Sequence, residues 1–241
     1  MGTPAASNIP GGRGAALVWS DHNNDVWVFG GLGFDQNGFY GILNDLWKYD
    51  PLTDEWTWVK GSNLANQAGT YGSIGVAAAT NNPGSRYAPA SWVDATGNLW
   101  LFGGFGYDAV SYGSLNDLWK YDPLTDEWTW VKGSNLANAA TIYGTKGQVT
   151  PSSNPGGRSS CMTWEDQHGN FWLMGGYGRS AGAAYGQLND LWQYNPSNNS
   201  WVWVKGDNNL NNYGVYGTLG VPTPSNKPGA RENGQTWVDH A

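Results

Sequence analysis

The chain is predicted to be all-β, an array of four-stranded antiparallel units, and three observations carry that prediction. The stretch Leu43–Asn66, LNDLWKYDPLTDEWTWVKGSNLAN, returns letter for letter at Leu115–Asn138, and a looser copy spans 188–209. Identity over 24 residues at an offset of 72 marks a repeat architecture. The composition agrees: Gly 36, Trp 16 and Tyr 13 against 13% charged residues describe a turn-rich, aromatic-packed β protein. Short apolar runs separated by Gly, Asn and Asp clusters replace any long window of helical periodicity.

Each unit begins at an arginine. Arg13, Arg86, Arg158 and Arg231 are spaced by 73, 72 and 73 residues. Strand A (GAALVWSD in the first copy) and strand B (DVWVFGG) flank a polar turn at His22 to Asn24, a hairpin signal. A Gly-rich loop of about a dozen residues follows. Strand C is then LNDLWKYD, and the turn DPLTDE leads into strand D, WTWVK. Asp-Pro suits that turn, because proline presets φ at its second position. A long loop, Gly61 to Gly84 in the first copy, leads to the next strand A.

The Gly-Gly pairs closing strand B (Gly30 and Gly31, Gly103 and Gly104, Gly175 and Gly176), with the tyrosine of YDP and a Trp six or seven residues on, resemble the kelch motif. The resemblance covers essentially the whole chain. It implies a kelch-type β-propeller, here three four-stranded blades plus one extra strand, as part of a larger propeller. The expected divisions are a loop at 1–9, blades at 10–82, 83–154 and 155–227, and the innermost strand of a fourth blade at 228–241. Three blades do not close a ring, so the expected structural partners are further blades of a longer chain or a second copy.

All sixteen tryptophans fall on repeat positions, including the strand D pairs Trp56 and Trp58, Trp128 and Trp130, Trp201 and Trp203. Residues two apart on a strand share a face, so each pair is read as blade packing. Strand parity puts the B–C and D–A loops at one end of each blade and the short A–B and C–D turns at the other. The long-loop face is the candidate binding surface, because it gathers Tyr40, Tyr112 and Tyr185 before strand C, and Tyr71, Tyr143 and Tyr216 before the next strand A. Arg13, Arg86, Arg158 and Arg231 stand where the innermost strand begins, with Asn63, Asn66, Asn135, Asn138, Asn208 and Asn211 in the same loops. Tyrosine, asparagine and arginine on loops over a rigid scaffold is the composition of a binding surface for a glycan or protein. The competing reading is structural: the tyrosines pin their own loops and the arginines tie blade to blade.

The net charge of −7 argues against a nucleic-acid partner. No apolar run is long enough to cross a bilayer, and the first residues lack the pattern of a signal peptide. The resemblance alone favours an extracellular or cell-surface location, and it extends to galactose oxidase, whose copper site takes histidine, tyrosine and a cysteine-linked tyrosine. In this chain His22, His168 and His240 all occupy A–B turns of different units, and Cys161 takes the place of Ala16 and Pro89 on strand A. Asp21, Asn23 and Asp25, like Asp166, His168 and Asn170, read as hairpin turns in preference to calcium loops. No catalytic residue, metal site or cofactor is expected. The predicted function is a non-catalytic binding or scaffold module; the alternatives are a galactose oxidase-like enzyme with its site in other blades, and a structural surface array.

Overall fold

The computed structural model describes residues 1–238, in which there are eighteen strands and no helix. Sheet 1 consists of β1 (Arg13–Gly14), β2 (Leu17–Ser20), β3 (Val26–Phe34), β4 (Tyr40–Asp50) and β5 (Glu55–Lys60). The second unit contributes β6 (Ala77–Ala78), β7 (Arg86–Tyr87), β8 (Ala90–Val93), β9 (Leu99–Phe102), β10 (Phe105–Tyr107), β11 (Tyr112–Ser114), β12 (Leu118–Asp122) and β13 (Glu127–Lys132). The third is β14 (Arg158–Ser159), β15 (Met162–Glu165), β16 (Phe171–Arg179), β17 (Tyr185–Asn195) and β18 (Ser200–Lys205). Each unit is an antiparallel meander with the predicted order A, B, C, D.

Strand A is broken in every unit by a residue with positive φ: Ala15, Ala88 and Ser160, at 51°, 50° and 57°. The break turns the main chain toward the neighbouring unit. Ala88 N donates to Ala15 O, Ser160 N to Ala88 O, and Asn233 N to Ser160 O, at 2.9, 3.0 and 3.0 Å. These bonds link the innermost strands in series. Residues 228–238 form no strand, in contrast to the predicted fourth strand A, although Arg231 and Asn233 keep their main-chain bonds to the third unit. A strand A is held by its own strand B, and none follows among the described residues; Asp239, His240 and Ala241 lie outside them.

The Gly-Gly pair is the second inter-unit link. Gly103 has φ +65°, and a Cβ there would lie 2.7 Å from Arg158 O and 2.8 Å from Leu115 O. Gly104 N donates to Arg158 O at 2.8 Å, and Arg158 N to Leu115 O at 3.0 Å. The glycines are therefore required by a close main-chain approach between units as well as by the backbone conformation.

Two cores result, both lying between sheets. Trp19, Trp27, Phe29 and Leu46 of sheet 1 meet Leu99, Leu101, Trp119 and Trp128 of sheet 2. Trp100 and Phe102, on the opposite face of β9, join Phe171, Leu173, Trp192 and Trp201 of sheet 3. The alternation Leu99, Trp100, Leu101, Phe102 thus sends successive side chains to two different cores. In sheets 2 and 3 both rings of the strand D pair enter a single core, Trp128 with Trp130 in one and Trp201 with Trp203 in the other. Tryptophans also join sheets through polar atoms: Trp19 Nε1 donates to Trp100 O at 3.1 Å, and Trp92 Nε1 to Trp164 O at 3.1 Å.

The long D–A loop does more than connect. It runs along the outer strand of the next sheet, where β6 pairs with β13 and Ala5 bridges to Trp56. Gly2, Gly75 and Gly147 donate to the carbonyls of Trp58, Trp130 and Trp203, at 2.8, 2.7 and 2.7 Å. This added edge covers main-chain groups that an outer strand would otherwise present for association.

The turns behave as hairpin chemistry predicts. Asp166 accepts from the main chain of His168 and Asn170 and from Trp172 Nε1, at 2.9, 3.0 and 2.8 Å. Desolvation works to raise its pKa, but the bonds from Trp172 and Asn170 outweigh it and bring the value down to about 2. A carboxyl depressed below its unfolded value of about 3.9 stabilises the fold above that pH and loses the contribution as pH falls toward 2. Asp166→Asn is therefore expected to flatten the fall in urea midpoint between about pH 4 and pH 2. In the C–D turn, the YDP tyrosines donate to a left-handed residue: Tyr49 to Asp54, Tyr121 to Asp126 and Tyr194 to Asn199, at 2.7, 2.8 and 3.0 Å. Asp and Asn both tolerate that conformation and both offer Oδ1, which is why they interchange there.

Candidate functional site

Arginine at the start of strand A needs a partner once buried, and the aspartate of the LND run supplies it. Arg86 grips Asp117 with both terminal nitrogens at 2.7 Å, and Arg158 grips Asp190 at 2.7 and 2.9 Å. Both pairs are completely buried. Arg13 holds Asp45 in the same way at 2.6 and 2.8 Å. The Asp117 carboxylate also accepts from Trp119 Nε1 and from the Tyr71 hydroxyl, each at 2.7 Å. Tyr143 and Trp192 repeat this on Asp190 at 3.0 and 2.8 Å. Burial, and next the nearby aspartate, hold both phenols above their ordinary pKa, so they remain neutral donors.

Four of the candidate residues, Arg86, Arg158, Tyr71 and Tyr143, are thus interior groups that secure each D–A loop to the sheet it covers, and are not displayed to solvent. Arg13 is nearly as enclosed, whereas Tyr216 is exposed. Asparagines predicted for the surface are likewise occupied: Asn66, Asn138 and Asn211 accept from the main chain of Ile42, Ser114 and Gln187 at 3.0, 3.0 and 2.9 Å. Sequence reasoning missed Asp45, Asp117 and Asp190 and their neighbours Asn44, Asn116 and Asn189, whose Nδ2 atoms reach the carbonyls of Pro83, Pro155 and Pro228. The available signal was the Asn-Asp inside the run LNDLW, which is unchanged in all three copies, whereas the residue before it is Ile42, Ser114 or Gln187.

Tyr40, Tyr112 and Tyr185 remain on the surface. They do not lie on loops: strands B and C continue past the glycines, and each tyrosine opens a strand C segment near a hairpin tip. Pairing sets Phe34 opposite Tyr40, Tyr107 opposite Tyr112 and Arg179 opposite Tyr185. The rings of Phe34 and Tyr40 pack edge to face at 5.3 Å, Tyr107 and Tyr112 lie 5.1 Å apart, and Tyr177 stacks on Tyr185 at 6.5 Å. Arg179 lies over the Tyr185 ring at 5.4 Å. The exposures of Tyr40, Tyr112 and Tyr185 are 57%, 47% and 38%, with Phe39 and Val110 exposed at neighbouring tips. Asp108 stiffens its tip by accepting from the main chain of Val110, Ser111 and Ala137; these bonds, with the Ser111 hydroxyl, overcome burial and keep its carboxyl below the usual range.

His22 and His168 occupy exposed turns at the far end of different sheets, and His240 lies outside the described residues. Cys161 is half-buried with its Sγ 3.4 Å from Gly175 O; burial, opposed by Arg158 and reinforced by Asp190, pushes its thiol up to about 12. It is a protonated, packed thiol at neutral pH.

Among solved structures, one described as the structure of YjhT is similar over 80% of this chain and 52% of its own, with 15% identity and a TM-score of 0.49. A novel fungal alcohol oxidase of the AA5 family, in complex with copper, is similar over 79% of this chain and 30% of its own, with 12% identity and a TM-score of 0.42. The chain spans about half the length of the first of these. A family model described as the KLHDC2/KLHL20/DRC7 Kelch-repeats domain matches residues 3–212, a span that takes in every strand of the three meanders and all three Gly-Gly pairs. The chain therefore belongs to the kelch-repeat family.

Proposed function

We propose that the chain is a non-catalytic binding module that holds a protein or glycan ligand on the face carrying the Tyr40, Tyr112 and Tyr185 hairpins. One observation carries this reading: three exposed tyrosines recur at one register position, while Tyr71, Tyr143, Arg86, Arg158 and Asn138 at the same end are consumed by internal bonds. Cross-strand packing and tip bonds fix the rings in advance, which lowers the ordering cost of association. Large amphipathic rings on rigid tips are efficient contacts. The adjacent Phe34, Phe39 and Val110 make the surface more apolar than sugar hydroxyls require, which favours a protein segment.

Peptide and glycan panels presented to the immobilised chain test this. Replacing Tyr40, Tyr112 and Tyr185 together by alanine is expected to weaken binding at least tenfold while leaving the thermal midpoint within a few degrees, since all three side chains are exposed. Undiminished binding by the triple variant would remove the tyrosine face from the function.

A further inference from the structure

Sheets 2 and 3 each receive a tyrosine from the loop that precedes them. Tyr71 lies against Trp119 and Trp130, with ring centroids 4.9 and 5.2 Å away, and is 5% exposed. Tyr143 lies against Trp192 and Trp203 at 5.5 and 4.7 Å and is 7% exposed. In both, the phenol reaches the carboxylate oxygen that also takes an arginine nitrogen and an indole N–H.

Sheet 1 holds the same receiving set in Arg13, Asp45, Trp47 and Trp58. Trp47 Nε1 donates to Asp45 Oδ2 at 2.6 Å and Arg13 Nη2 to the same oxygen at 2.8 Å, so the polar part of the cluster is arranged as in its sisters, while the rings of Trp47 and Trp58 stack on each other at 6.5 Å. Beside it lies a cavity of about 310 Å³, lined by these four residues with Phe34 and Leu43. Tyr71 and Tyr143 precede Arg86 and Arg158 by 15 residues, and the same count back from Arg13 falls ahead of Met1. On the free face of sheet 1, Trp47, Tyr49 and Trp56 are half-buried, whereas Trp119, Tyr121 and Trp128 at the same positions of sheet 2 are fully enclosed.

We propose that this cavity is a tyrosine receptor, filled by the Tyr-Gly loop of an adjoining repeat unit of the same type that packs on the free face of sheet 1. The chemistry selects tyrosine. Two indoles flank the ring position, and Asp45 Oδ2, which accepts from Arg13 and Trp47, is the counterpart of the Asp117 and Asp190 oxygens that take a tyrosine hydroxyl as a third donor, a bond phenylalanine does not make. The loop's continuation is already in place, because Gly2 N reaches Trp58 O as Gly75 N reaches Trp130 O.

The test extends the chain by QAGTYGS ahead of Met1, which sets the added tyrosine 15 residues before Arg13, in the register of Tyr71. Parallel chains carry phenylalanine or alanine in place of that tyrosine. Urea unfolding is expected to show the tyrosine extension raising the folding equilibrium constant about tenfold or more over the alanine extension, with phenylalanine between them. Equal midpoints for tyrosine and alanine would overturn the receptor, and equal gains from tyrosine and phenylalanine would overturn the hydrogen bond to Asp45. Sedimentation of the unextended chain supplies the other arm. A dimer abolished by Tyr216→Ala would assign the cavity to a second copy and overturn the adjoining-unit assignment; a monomer supports it.

Discussion

Asp117→Ala is expected to destabilise the chain by about 3–5 kcal/mol in urea unfolding, because it leaves the Arg86 guanidinium buried without its counter-charge. The loss extends beyond the ion pair. Trp119 and Tyr71 lose their acceptor in the same step, and the Tyr71 loop loses its anchor to sheet 2. Asp45→Ala removes the identical residue of the identical 24-residue stretch, yet a smaller cost is expected. The side chains of Arg13 and Asp45 retain 8% and 9% exposure, where those of Arg86 and Asp117 retain none, and water can partly solvate the orphaned arginine. Equal costs at the two sites would show that the covering loop does not set the cost by excluding water.

Trp128→Ala is the second large effect, at about 3–5 kcal/mol, the usual range for truncating an enclosed aromatic residue. Its ring packs edge to face on Phe29 of the adjacent sheet at 5.7 Å and lies tilted against Tyr121 of its own at 5.0 Å, so the change opens a cavity between two sheets. Trp56 holds the same repeat position but lies on the free face of sheet 1, half-buried beside Tyr49 at 5.1 Å. Trp56→Ala is expected to cost about 1 kcal/mol. Thermal unfolding of the two variants side by side separates the contribution of sheet-on-sheet packing from that of the residue itself.

These contrasts also mark where sequence reasoning reached its limit. The repeat, the strand order and the sharing of one end by the B–C and D–A connections were legible, because period-2 patterning, Asp-Pro turns and Gly-Gly pairs are local signals; that the B–C connection is mostly strand was not. Trp56 and Trp128 sit in identical text, and only the neighbouring sheet decides which is enclosed. Tyr40 and Tyr71 gave the opposite difficulty. Both precede glycine in a polar loop, but one ends on a hairpin tip and the other reaches an aspartate 46 residues away. For the arginines the sequence left a binding and a structural reading side by side, because charge is ordinarily a surface property and their partners Asp117 and Asp190 come from strand C and meet them only across strand B. The left-handed breaks at Ala15, Ala88 and Ser160 left no mark in the sequence, since alanine is an unusual choice there and the strain is accepted for an inter-unit bond.

The most direct test of the binding face is amide hydrogen exchange with and without the ligand selected by the peptide and glycan panels. Slowed exchange confined to the hairpins at 32–42, 105–114 and 177–187 is the predicted result, because those segments carry Tyr40, Tyr112 and Tyr185. Protection centred on the opposite turns at Asp21–Asp25, Asp94–Asn98 and Asp166–Asn170, with the hairpins unchanged, would contradict a binding face built on the tyrosines.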